Sequence, residues 1–132
     1  MENYLDLLKK HGLRPTKQRL IIVKLLFKGK DRHVTANELY LEIKKNKDSI
    51  SLATIYNVLN DFVRFGLMSK IIVDKDVAYF DTNTSNHYHF YIEDQKKLMD
   101  IETNSVHIAK LPKIPSNYKL KNIDIFLTLK NK

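Results

Sequence analysis

The residues best suited to bind a metal ion stand in the middle and rear of the chain. His87 and His89 flank one tyrosine, and on a β-strand residues i and i+2 share a face with their Cα atoms about 6.5–7 Å apart. Two imidazoles spaced in this way can converge on one ion at roughly 2.0–2.2 Å. Asp81 and Asp100 stand on either side of this pair and could add carboxylate oxygens. The set suits Fe²⁺, Mn²⁺, Zn²⁺ or Co²⁺, although a His-x-His on a strand also occurs as a surface pair without an ion.

The composition excludes several other kinds of site. The chain has 132 residues and no cysteine, so disulfides, thiolate zinc sites, iron–sulfur clusters and cysteine nucleophiles are ruled out. The densest apolar run, Leu20–Phe27, is far shorter than the roughly 20 residues of a membrane span. The N-terminus also lacks the basic-then-apolar layout of a signal peptide. We therefore expect a cytoplasmic protein with no membrane partner.

Positive charge is concentrated in the front of the chain. The net charge is +8, and residues 1–80 hold 15 Lys and Arg against 9 Asp and Glu, a net of +6. Such a surplus is typical of proteins that bind phosphates, because neutralised phosphates release counterions. It is also typical of an ordinary soluble protein rich in lysine. Charge alone leaves both interpretations open.

Capping signals predict three helices in the front half. Thr16 is suited to cap a helix that contains the run Leu20–Phe27. The sequence Thr35–Glu38 has the pattern of a capping box, in which hydroxyl and carboxylate satisfy each other's free amides. Ser49 or Ser51 would cap the third helix.

A hairpin is predicted directly after the third helix. Gly66 ends that helix, Met68–Val73 and Val77–Phe80 have strand patterns, and residues 74–76 form the turn between them. Three helices followed by a β-hairpin is the order of a winged helix-turn-helix. The sequence thus predicts an N-terminal winged-helix DNA-binding domain over residues 1–82.

The third helix has two different faces. Its inward face is apolar, with residues spaced by three and four: Leu52, Ile55, Leu59 and Phe62. Its outward face is small, polar and aromatic: Ala53, Tyr56, Asn57, Asn60 and Arg64. A helix that enters a DNA major groove needs such an outward face. An ordinary solvated helix presents a similar one.

The rear of the chain predicts a small α/β domain over residues 83–132. Strands are predicted at His87–Ile92, Leu98–Ile101 and Ile123–Leu129, and a short helix at Ser105–Lys110. About fifty residues bury too little surface to be stable alone. We therefore expect a second copy of the chain to complete this domain, which makes the protein a homodimer of α+β class.

Four separated motifs, in the same order, show that the chain resembles the ferric uptake regulator family of metal-responsive repressors over nearly its whole length. They are Gly12–Arg19, His33–Tyr40, Ser51–Leu59 and Phe80–His89. Within that family the chain looks most like the iron response regulator branch. The features that carry this finer likeness are the absence of cysteine, Gly29–His33, Phe80–Ser85 and the Leu-Pro-x-x-Pro sequence at Leu111–Pro115.

The resemblance implies a sequence-specific, dimeric transcriptional regulator of iron or haem homeostasis that binds a double-stranded DNA operator. Ser51–Phe62 would be the recognition helix. Its DNA-binding candidates are Ala53, Thr54, Tyr56 and Asn57. Lys17, and with less weight Arg19, would reach phosphate or the minor groove.

The resemblance also implies a regulatory metal site between the two domains, for Fe, Mn or Zn. Its ligands would be His33, Asp81, His87, His89 and Asp100. Members of the iron response branch are associated with haem, so haem is a further candidate ligand for His87 or His89. A loaded site would fix the relative orientation of the domains and hence the spacing of two recognition helices.

Three other interpretations remain open from the sequence. Peroxide-sensing repressors share the spacing of Asp81 and His87 and a carboxylate like Asp100, and they sense peroxide by iron-catalysed oxidation of a ligand histidine. Two histidines and a carboxylate also form the facial triad of non-haem iron oxygenases, an enzyme class that the short chain disfavours. The third is a winged-helix module without a ligand. We expect a regulator and not an enzyme.

Overall fold

The computed structural model describes residues 3–74, 77–85 and 88–132, which form two compact units, Met1–Thr84 and Ser85–Lys132. The elements of the N-terminal unit are α1 (Tyr4–Lys10), α2 (Lys17–Phe27), β1 (His33–Val34), α3 (Ala36–Lys45), α4 (Leu52–Arg64), β2 (Ser69–Asp74) and β3 (Val77–Asp81). Those of the C-terminal unit are β4 (Tyr88–Ile92), β5 (Lys97–Ile101), a 3₁₀ turn (Thr103–Ser105) and β6 (Phe126–Leu129). In the described ranges no helix combines the length and apolar character of a membrane span.

Side-chain caps set the starts of three helices, as predicted. The Thr16 hydroxyl accepts a hydrogen bond from the Arg19 amide at 3.2 Å and begins α2. Thr35 and Glu38 form the predicted capping box of α3, with reciprocal bonds of 3.1 and 2.8 Å. Of the two serines considered for α4, Ser51 is the cap. Each bond satisfies a backbone amide that the helix itself leaves without a partner.

The predicted end of α4 at Gly66 is confirmed. Gly66 has φ of 82°, a left-handed conformation that only glycine adopts at little cost. Its amide donates to the Val63 carbonyl at 3.1 Å, and the Leu67 amide donates to the Phe62 carbonyl at 2.8 Å. This pair of bonds closes the helix and turns the chain toward β2.

The sheet of the N-terminal unit has the order β1-β3-β2, with antiparallel neighbours. The hairpin predicted after α4 is therefore confirmed as β2 and β3, while residues 75 and 76 of its turn lie outside the described residues. Strand β1 was not predicted from the sequence. Its residue His33 is the Cα partner of Asp81 on the middle strand β3, so two predicted metal ligands lie opposite each other.

The apolar face predicted for α4 packs into the core of the N-terminal unit. Ile55, Leu59 and Phe62 are fully buried, and Leu52 is half-buried. They share one cluster with side chains from α3 and with Phe80 of β3. Burial of this face fixes the direction in which the opposite face of α4 points.

The cap of α4 supports a first prediction. Ser51→Ala is expected to lower the free energy of unfolding by about 1 kcal/mol, because Ser51 Oγ accepts from the Thr54 amide at 3.1 Å. Urea denaturation followed by circular dichroism measures the loss. Ser49→Ala is the matched control, since Ser49 is exposed and does not cap the helix. Equal losses in the two variants would contradict this assignment.

The sheet of the C-terminal unit has the order β5-β4-β6. Strand β5 runs antiparallel to β4, and β6 runs parallel to it. The middle strand therefore carries His89, whose Cα partners are Asp100 on one side and Phe126 on the other.

Two predictions for the rear of the chain are wrong in extent. The helix predicted at Ser105–Lys110 is replaced by the 3₁₀ turn, after which Val106 is extended (φ −123°, ψ 126°). No side chain caps that turn, and β-branched residues such as Val106 favour extended backbone. The strand predicted at Ile123–Leu129 begins only at Phe126, because its pairing with β4 runs from His89 to Ile92.

Candidate metal donors and nucleic-acid interface

The N-terminal unit holds one imidazole and one carboxylate on paired strands. His33 of β1 and Asp81 of β3 are directly opposite Cα partners, so their side chains lie on the same face of the sheet. Asp81 is 1% exposed, and its Oδ1 accepts from the Asn83 amide at 2.9 Å. The His33 and Tyr79 rings are perpendicular, with centroids 5.8 Å apart. These contacts restrict the rotation of the His33 and Asp81 side chains, the two candidate metal ligands of this unit.

Backbone and hydroxyl contacts bind the two strands together beside this pair. The Arg32 amide donates to Thr82 Oγ1 at 2.9 Å, and the Thr82 amide donates to the Arg32 carbonyl at 3.0 Å. Arg32 directly precedes His33, and Thr82 directly follows Asp81. The register of the two candidate ligands is therefore held by their own chain neighbours.

The Arg32 side chain connects this sheet edge to the helices. Its two terminal nitrogens donate to the two Glu42 carboxylate oxygens at 3.1 and 2.8 Å, in the bidentate arrangement that is strongest for this pair. The hydrogen bond from Arg32 lowers the pKa of Glu42, while partial burial opposes that shift. The pair thus contributes stability above the unfolded-state pKa of Glu42, and that contribution is lost as pH falls through the lower folded-state value.

The C-terminal unit holds a second imidazole and carboxylate, again on paired strands. His89 of β4 and Asp100 of β5 are Cα partners, and His89 Nε2 lies 3.3 Å from Asp100 Oδ1. His89 is 3% exposed, whereas the side chain of Asp100 is 55% exposed. The His89 ring also stacks on Phe126 of β6, with centroids 6.3 Å apart. The pair offers one nitrogen and one oxygen to a cation.

The donor chemistry fits the metal ions that the sequence predicts. His87 lies outside the described residues, and the other four predicted ligands form one histidine–aspartate pair in each unit. Imidazole suits Fe and Zn, and carboxylate suits Mn. Buried, hydrogen-bonded carboxylates such as Asp81 are also typical of ligands held in place by their surroundings.

The outward face of α4 is exposed, as a groove-reading helix requires. Ala53, Tyr56 and Asn57 are all exposed, Tyr56 by 39%. Thr54 is half-buried, and its hydroxyl accepts from Ser51 Oγ at 2.9 Å. Of the four predicted contacts on this helix, Thr54 is thus the one whose side chain serves the helix cap.

The two cations predicted at the start of α2 differ in their surroundings. Lys17 is the first residue of α2 and is exposed. The Arg19 guanidinium donates to Asp61 Oδ2 at 3.1 Å and to the Arg14 carbonyl at 2.8 Å. Asp61 also pairs with Arg64 on its own helix. Arg19 is therefore tied to α4, and Lys17 is the better placed of the two for a phosphate.

Sequence reasoning did not identify Arg32, Glu42 and Asp61. All three form ion pairs that connect secondary-structure elements. The signal that could have found Arg32 is its position directly before His33. Its partner Glu42 is ten residues further along the chain, and no short-range sequence pattern connects Arg32 with Glu42.

Residues 10–130 match the model of the Ferric uptake regulator family. A peroxide-responsive repressor, PerR, of Staphylococcus aureus (strain Mu50 / ATCC 700699) is 34% identical over 102 residues, which is 77% of this chain and 68% of that protein.

Solved structures share the fold. The ferric uptake regulator of Vibrio cholerae superposes with a TM-score of 0.77 at 24% identity, covering 98% of this chain and all of that chain. The Pseudomonas aeruginosa ferric uptake regulator, solved with manganese, gives 0.76 at 21% identity, covering 99% of each chain. These likenesses confirm the predicted α+β fold, with a helical N-terminal region and a sheet-containing C-terminal region.

Proposed function

This chain belongs to the ferric uptake regulator family of metal-responsive transcriptional regulators, and we propose that it controls iron-related genes as a DNA-binding homodimer in the cytoplasm. The observation that carries the proposal is the presence of one histidine–aspartate pair in each unit. Neither pair alone offers the four or more donors that these metal ions prefer. A shared ion would make the two pairs interdependent.

We assign the ligands as the sequence predicts them: His33, Asp81, His87, His89 and Asp100. His33 and Asp81 belong to the unit that carries α4, and His89 and Asp100 to the unit assigned to dimerisation. If these residues hold a divalent cation, its ligands would come from both units. The protein residues have two separate roles. His33 and Asp81 provide one part of the ligand set, and α4 provides the face that contacts DNA.

Regulation then requires that metal affinity differ between two arrangements of the protein. A ligand shifts such an equilibrium only by its differential affinity for the two states. In a dimer, the two copies of α4 must match half-sites about one helical turn, or a multiple, apart. The metal-bound arrangement would select that spacing.

Assignment to the iron response branch rests on four features of the sequence: the absence of cysteine, Gly29–His33, Phe80–Ser85 and Leu111–Pro115. Haem is the second candidate ligand of this branch. The surroundings of His89 favour the smaller ligand, since the residue is 3% exposed and its Nε2 lies 3.3 Å from Asp100.

A peroxide-sensing function is the second candidate, and the similarity to the Staphylococcus aureus repressor favours it. In that case a ligand histidine gains one oxygen atom when the iron-loaded protein meets peroxide. Mass spectrometry of tryptic peptides that contain His33 or His89 tests this directly. An unmodified iron-loaded protein that loses no DNA affinity under peroxide would exclude it.

The deciding experiment is a DNA-binding titration. A duplex is first selected from a random-sequence library, once with apo protein and once with Mn²⁺-loaded protein. The affinity of the protein for each selected duplex is then measured by fluorescence anisotropy, without added ligand and with Mn²⁺, Fe²⁺ or haem. We expect Mn²⁺ or Fe²⁺ to change the affinity by about 5–150-fold, the usual size of an allosteric coupling. Equal affinity in all four conditions would refute control by metal or haem.

A further inference from the structure

We propose that Arg32 and Glu42 are positioning residues that transmit occupancy of the His33/Asp81 pair to the DNA-reading helices. The inference deepens the proposed function and rests on it, because it concerns how a metal effect reaches α4. Neither residue would touch the ion. Their role is to make the position of one sheet edge depend on the position of α3.

The backbone connects the two candidate ligands to Arg32. Arg32 adjoins His33 in sequence, and its backbone forms two hydrogen bonds to Thr82, of 2.9 and 3.0 Å. Thr82 in turn adjoins Asp81. A change in the position of either ligand therefore moves the backbone of Arg32.

The side chain of Arg32 connects it to two helices. The guanidinium donates to both Glu42 oxygens, and its Nη1 also donates to the Leu25 carbonyl at 3.3 Å. Leu25 lies near the end of α2 and Glu42 lies inside α3. A planar guanidinium held at three acceptors resists both rotation and translation. The side chains of Arg32 and Glu42 are 33% and 28% exposed, so solvent only partly screens the contact.

Core packing connects α3 to α4. The Leu39 and Ile43 side chains of α3 are buried in the same cluster as Ile55 and Leu59 of α4. Packed cores respond as units and not by continuous deformation. A shift of α3 that Glu42 imposes is therefore passed to the helix that carries Tyr56 and Asn57.

The test compares two quantities in wild type and variants: the Mn²⁺ affinity of the free protein and the ratio of DNA affinities with and without Mn²⁺. We expect Glu42→Ala to reduce that ratio by about 2–30-fold, the range found for residues along coupling networks. Mn²⁺ affinity of the free protein and DNA affinity of the apo protein are expected to stay close to wild type. Arg32→Lys, which keeps the charge but loses the bidentate geometry, is also expected to lower this ratio.

Asp48→Ala is the matched control, because Asp48 is an exposed carboxylate that follows α3. Its ratio is expected to equal that of wild type. A wild-type ratio in Glu42→Ala would overturn the inference, and so would a variant that loses thermal stability and apo DNA affinity but keeps the ratio, since the pair would then be a structural support only. A ratio of one in the wild-type protein would refute the proposed metal control itself, which separates that failure from failure of the inference.

Discussion

The affinity of this protein for duplex DNA is expected to fall by roughly 10³–10⁵-fold between 50 and 200 mM salt. A winged-helix dimer that neutralises about 6–10 phosphates releases the counterions condensed on them, and the logarithm of its affinity falls by about 0.9 per phosphate for each tenfold rise in salt. The excess of Lys and Arg over Asp and Glu in residues 1–80 supplies the charge. Fluorescence anisotropy of a labelled duplex over a series of KCl concentrations gives the slope.

Lys17 provides an internal check on this slope. It is exposed at the start of α2. Lys17→Ala removes one expected phosphate contact and is therefore expected to reduce the salt slope by about one unit per protomer. Arg19→Ala is the matched variant, because Arg19 is held by Asp61 and the Arg14 carbonyl. We expect it to alter stability more than the slope. An affinity that is constant across the salt series would contradict phosphate binding altogether.

His89→Ala is expected to weaken Mn²⁺ binding by more than about 100-fold and to abolish the effect of the metal on DNA affinity. Changes to residues that merely support metal ligands already cost about 10–100-fold, and His89 is proposed as a ligand itself. Its Nε2 faces Asp100 at 3.3 Å on the middle strand of the sheet, so alanine leaves the carboxylate as the remaining donor of that pair. Isothermal titration calorimetry measures the binding and anisotropy measures the DNA response.

The matched control for this variant is His107→Ala. His107 is an exposed histidine of the same unit, beyond β5 and the 3₁₀ turn. Its loss is expected to leave Mn²⁺ affinity and the DNA response unchanged. If His89→Ala retained wild-type Mn²⁺ affinity, His89 would not be a ligand and the assignment of the C-terminal pair would be wrong.

Local signals predicted the N-terminal elements well. The hydroxyl caps at Thr16 and Ser51, the capping box at Thr35 and the glycine stop at Gly66 all act over a few residues, so the sequence alone contains them. The helix α1 was not predicted. It spans seven residues and starts from the Asn3 cap close to the chain end, which leaves little periodic pattern to detect.

Pairing between distant residues could be predicted only in part. The sequence predicted strands at His87–Ile92 and Leu98–Ile101, and the structure pairs them so that His89 and Asp100 are opposite. The sequence did not indicate β1, because a two-residue strand exists only through its partner β3. For the same reason the length of β6 is set by its pairing with β4 and not by the longer alternating pattern before it. The membership of all five residues in one metal site stays a prediction.

The position of β6 has a consequence for handling of the isolated chain. It is an outer strand of its sheet, and Leu127 and Leu129 on it are 43% and 40% exposed. Outer strands with apolar side chains are the places where foreign extended segments add and aggregates grow. Lys130 and Lys132 follow immediately, and charged residues in that position oppose such growth. Replacement of these two lysines by alanine is therefore expected to increase precipitation of the protein during expression.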